Sequence, residues 1–152
     1  MNKNEATIET LNDLIQINND RILGFENALK ELKDQDGSLR TLFTGLIGDS
    51  QNFKMALATE VAALGHDIAT GTSTSGKLHR TWLDVKAAFS SHSKKSILEE
   101  CEFGEDAIND AYKKAIADED TVAYIKDILV EQQTALQQAH DQVKALRDSI
   151  EN

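Results

Sequence analysis

Apolar residues recur along most of this chain at alternating spacings of three and four, and one polar residue interrupts each run near its middle. That spacing holds a stripe on one face of an α-helix, so the pattern predicts four long amphipathic helices. The first stripe is Ile8, Leu11, Ile15, Asn18, Ile22, Phe25, Leu29 and Leu32. The second is Leu39, Phe43, Leu46, Ser50, Phe53, Leu57, Glu60 and Leu64. The third runs Leu98, Cys101, Glu105, Ile108, Tyr112 and Ala115. The fourth runs Val122, Ile125, Leu129, Gln132, Leu136, Ala139, Val143, Leu146 and Ile150. Proline is absent, so no ring breaks a helix from within. Asp36 or Ser38 is expected to cap the second helix and Ser93 or Ser96 the third, Gly65 to end the second, and the fourth to start near Asp118 or Asp120.

The connections bear on topology. Helices one and two, and three and four, are separated by only a few residues, so each pair is expected to form an antiparallel hairpin. Between His66 and Ser93 lies a much longer stretch, with a Gly/Thr/Ser loop at Thr70–Gly76 and a short apolar-containing segment at Leu78–Phe89. A simple up-down-up-down bundle needs only a short turn there. The length favours a crossover with its own short helix, which would leave helices two and three parallel.

The chain's 152 residues suit one helical domain spanning 1–152, with 40% hydrophobic residues to supply its core. A net charge of −10 argues against nucleic acid and against anionic membrane surfaces. The polar stretch Met1–Thr10 lacks the apolar core of a signal peptide. Cys101, the single cysteine, has no internal partner and suits a reducing compartment, so a cytoplasmic location is expected.

Chemistry is legible in one place, the layer formed by Asn18, Ser50, Glu105 and Gln132. The expected pairing sets Glu105 opposite Gln132 and Asn18 within a turn of Ser50 and Lys54. Di-iron bundles place carboxylates and Glu-x-x-His motifs at this level, because two metal ions need charge balance and imidazole ligands. No Glu precedes any histidine of this chain by three positions. Two readings stay open. In one, the layer is a buried hydrogen-bond network that fixes helix register. In the other, Glu102, Glu105 and Glu131 hold a divalent ion, iron or zinc. The network reading predicts that Glu105→Gln leaves the fold intact. Glu26 and His140 form a second candidate pair if helices one and four run parallel. Trp82, with Leu78, Leu83, Val85 and Phe89, gives the crossover an apolar face that caps the bundle or meets a protein partner. Glycine-rich phosphate loops, zinc spacings and nucleophile elbows are absent from the sequence.

Three ordered blocks, His79–Ala88, Ile97–Asp106 and Ala139–Asp148, together with Leu11–Ile15 and Gly24-Phe25-Glu26, resemble the bacterial family called domain of unknown function 2383. The resemblance implies a ferritin-like four-helix bundle and transfers no catalytic role. The expectation is therefore a non-catalytic structural or interaction protein without a cofactor, free or as a homo-oligomer or with a protein partner. Divalent-metal binding is the alternative, and an apolar-ligand carrier a third.

Overall fold

The computed structural model describes residues 3–32, 36–65 and 93–150. They form four helices: α1 (Lys3–Leu32), α2 (Gly37–Ala63), α3 (Lys94–Ala117) and α4 (Ala123–Ser149). Local chemistry sets their ends. The Asp36 carboxylate accepts from the Leu39 N–H at 3.0 Å and caps α2, although its backbone sits at φ 51°. Gly65, at φ 80°, ends α2 in the left-handed conformation that glycine tolerates best. The Ser93 hydroxyl accepts from the Ser96 N–H at 3.1 Å and starts α3. The fourth helix begins later than the sequence suggested. Asp118 accepts from the Asp120 N–H, and the Thr121 hydroxyl donates to the Ala115 carbonyl. Both side chains build the turn, and Val122 stands at the N-cap without a capping oxygen.

Cross-helix bonds give the topology. Asn18 and Arg21 on α1 meet Tyr112 and Glu105 on α3, so rising numbers on one face falling numbers on the other. Tyr112 and Asn109 meet Gln132 and Gln133 on α4 in the same antiparallel sense. Gln132 and Tyr124 in turn reach Phe53 and Glu60 on α2. Each helix is antiparallel to its two neighbours, and the diagonal partners, α1 with α4 and α2 with α3, are parallel. The ion pair between Lys94 and Asp36 sets the starts of α2 and α3 at the same end. The end of α2 and the start of α3 therefore lie at opposite ends of a bundle about 40 Å long. The expected short helix at 78–89 lies outside the described residues.

The core fills the space between all four helices. Leu11, Leu14, Ile15, Ile17 and Phe25 of α1 are buried with Phe43 and Leu57 of α2, Ile97, Leu98, Ile108 and Tyr112 of α3, and Leu129, Leu136 and Val143 of α4. Phe25 and Phe43 stack at 5.2 Å in a tilted pair, a favourable aromatic geometry. The buried face of α1 is wider than its predicted stripe. Ile22 and Leu29 are only half-buried, whereas Leu14, Ile17, Arg21 and Ala28 are buried.

Candidate functional site

The four stripe-breaking residues come together, and two residues that the stripe analysis gave no polar role connect them. Arg21 projects from the buried face of α1 with 1% exposure. Its Nε donates to Glu105 Oε1 at 2.7 Å and its Nη2 to Glu105 Oε2 at 2.9 Å. This is a two-pronged pair, the geometry a planar guanidinium matches best. The remaining terminal nitrogen donates to Ser50 Oγ at 2.8 Å and to the Leu46 carbonyl at 3.4 Å. The guanidinium also lies 5.3 Å from the Phe25 ring centre, within cation–π range. Three helices are thus joined through one buried cation.

A neutral chain lies beside it. Asn18 Nδ2 donates to the Leu14 carbonyl at 2.9 Å and to the Tyr112 hydroxyl at 3.0 Å. That hydroxyl donates to Gln132 Oε1 at 2.6 Å, and Gln132 Nε2 donates to the Phe53 carbonyl at 3.3 Å. The chain therefore runs from α1 through α3 and α4 to α2. Asn109 supports it one turn away, donating to the Glu105 and Leu136 carbonyls and accepting from Gln133. Burial pushes the Tyr112 hydroxyl well above its ordinary pKa, because a phenolate has no water there. Cys101 is fully buried and its thiol is likewise raised, first by desolvation and then by Glu105. That removes thiolate reactivity.

The register differs from the expected one. Gln132 faces Tyr112, and Glu105 faces Arg21. The cause is the later start of α4, which slides its stripe relative to α3. Ser50 is reached through Arg21, and Lys54 is half-buried on α2.

The proposed carboxylate trio is not drawn together. Glu102 pairs with Arg147 at 2.7 Å, Glu105 with Arg21, and Glu131 is exposed beside Ile128 and Gln132. Glu26 and His140 stand on diagonal helices. Glu26 is exposed, and His140 meets Asp106 at 2.6 Å and Asp141 at 3.2 Å. Among the described residues no group of three or more His, Cys, Asp or Glu is placed to hold a metal ion. Trp82 lies outside the described residues.

Arg21 carries a signal in retrospect. It stands three residues after Asn18 and four before Phe25, so helical spacing puts it on the core face. Tyr112 was on the stripe, but its hydroxyl was not assigned a partner.

This is an antiparallel four-helix bundle whose central polar layer is closed by an internal ion pair and a hydrogen-bond chain. The profile of a domain of unknown function (DUF2383) matches residues 6–118, and the chain belongs to that family. The match covers α1 (from residue 6), α2 and α3, while α4, with the block Ala139–Asp148, lies beyond it. Comparison with curated proteins gave no match.

Proposed function

We propose that this chain is a structural or interaction protein without catalysis of its own, built on a ferritin-like bundle whose metal layer is replaced by an ion pair. The observation that carries this reading is Arg21 on Glu105. In metal-binding bundles the central carboxylates are balanced by cations bound between the helices. Here a guanidinium supplies that charge from within the chain, and each Glu105 oxygen already holds a short hydrogen bond to it. Ser50, Asn18 and Gln132 contribute neutral groups already engaged with the protein. A second cation at Glu105 would have to displace Arg21, which among the described residues has no other carboxylate bonded to it.

The same reading treats residues 1–152 as one domain, with the 66–92 crossover and its short helix completing the ferritin-like topology, and places the protein in the cytoplasm. Support comes from the acidic charge and the buried Cys101 thiol. No described helix is long and apolar enough to cross a membrane.

The test is elemental analysis of purified protein, then anaerobic titration with ferrous iron and with zinc, read by calorimetry and thermal melting. The expected result is no stoichiometric uptake and an unchanged melting temperature. Stoichiometric metal, lost in Glu105→Gln, would replace this reading with the metal-binding alternative.

A further inference from the structure

Among the described residues, the outward face of α2 carries far less charge than that of α3. From Thr41 to Ala63 its exposed residues are Thr41, Thr44, Gly45, Asp49, Gln51, Asn52, Met55, Ala56, Thr59, Ala62 and Ala63, among which Asp49 alone is charged. The exposed residues of α3, by contrast, include Lys94, Glu99, Asp106, Asp110, Lys113 and Lys114. Charge depletion on one face, with methionine at its centre, is the compositional mark of an interface core.

This face carries both a projection and a recess. Met55 is 68% exposed and stands out from the face. Beside it, α2 and α4 part to leave a groove of about 540 Å³, with Phe53, Ala56, Ile128 and Ala135 as its apolar lining and Glu60, held by Tyr124, and Glu131 among its polar lining. Knob and hole thus lie within a turn of each other. About two and three turns from Met55 towards the start of α2, Gly48 and Gly45 have open space where a side chain would project. Glycine in a helix interior lowers helix stability, and no described residue of this chain uses the room it leaves. A second helix approaching from outside would use it.

We infer that two copies of this chain pair through α2 about a two-fold axis near Met55, each Met55 entering the other copy's groove between α2 and α4. A two-fold contact sets a patch against itself, so it is least penalised where a chain of net charge −10 carries the fewest charges. The extent is adequate as well. Thr41 to Ala63 spans about 33 Å, and a face about 20 Å wide gives roughly 650 Å² per copy, against the roughly 800 Å² of a standard interface.

The proposal extends the reading of the chain as an interaction protein, and its test is independent of the metal titration. Sedimentation velocity over a wide concentration range should show twice the chain mass in the wild type. Ala56→Glu sets two carboxylates against each other across the axis and should return the monomer, as should Met55→Lys. Val130→Glu, on an exposed part of α4 outside the groove, should remain a dimer. Circular dichroism checks that each variant keeps its helices, and the two α2 variants serve as alternates should either melt. A wild type that stays monomeric throughout overturns the proposal, and so does a dimer that survives both α2 substitutions.

Discussion

Replacing Glu105 with glutamine removes one charge from a pair in which Arg21 is 1% exposed and Glu105 not at all. The guanidinium would stay in place, buried, with its carboxylate gone. Glutamine offers one acceptor oxygen where glutamate offered two, and its amide group faces a cation it cannot serve. Breaking a buried pair from one side typically costs about 3–5 kcal/mol, because the partner's desolvation is no longer offset. Against a domain stability of about 5–15 kcal/mol, that is a large fraction. Removing both charges with Arg21→Met and Glu105→Leu tells a different story. It eliminates the unpaired ion, leaving Ser50 to find a backbone acceptor, and apolar replacement of both partners is often neutral or stabilising by about 1–4 kcal/mol. The double variant should therefore be more stable than either single one. Urea unfolding followed by far-ultraviolet circular dichroism gives the stabilities, and a double-mutant cycle gives the coupling, expected at about 2 kcal/mol or more. A loss below about 1 kcal/mol in Glu105→Gln, or additive single costs, would refute the view that this pair is a buried ionic contact. The outcome that a purely neutral layer predicts, an intact fold at little cost, is thereby reversed, since Arg21 makes the layer ionic.

Other substitutions probe the layer and the helix ends. Tyr112→Phe deletes the hydroxyl between Asn18 and Gln132 and should cost about 1–3 kcal/mol, read by the same urea titration. Tyr112 also sets an alkaline limit. Its folded pKa is raised above the ordinary 10.0, so the stabilisation is complete below that pH and falls as pH rises through it, by about 1.4 kcal/mol per unit once unfolded tyrosine ionises. Near-ultraviolet tyrosinate absorbance should show the exposed Tyr124 titrating reversibly and Tyr112 only upon unfolding, and reversible titration of both would contradict the burial. Ser93→Ala should lower stability by about 1 kcal/mol through loss of the α3 cap, with Ser93→Asp restoring it. Gly65→Ala forces a side chain into left-handed backbone and should cost about 1 kcal/mol in a thermal melt.

What the linear sequence determined was everything that depends on short-range spacing. The three-four rhythm located four helices, because neighbouring turns of one helix decide which residues share a face. Capping followed from oxygen-bearing side chains a few residues from each start, at Asp36 and Ser93, and the break at Gly65 from its freedom at positive φ. The length of chain between α2 and α3 indicated their parallel course. Even the layer of Asn18, Ser50, Glu105 and Gln132 was visible, since a polar residue on an apolar stripe must be buried with the stripe.

Only the tertiary structure decided which partners those polar groups found. A shift of α4's start by a few residues moved Gln132 from Glu105 to Tyr112, and no periodicity within one helix reports the sliding of another. Arg21 was hidden for a related reason. Arginine is usually a surface residue, and only the approach of α3 from the far end of the sequence supplies the carboxylate that makes its burial tolerable. Helix formation is a local property of the chain, whereas charge pairing in the core depends on the register between helices that meet only when the bundle closes.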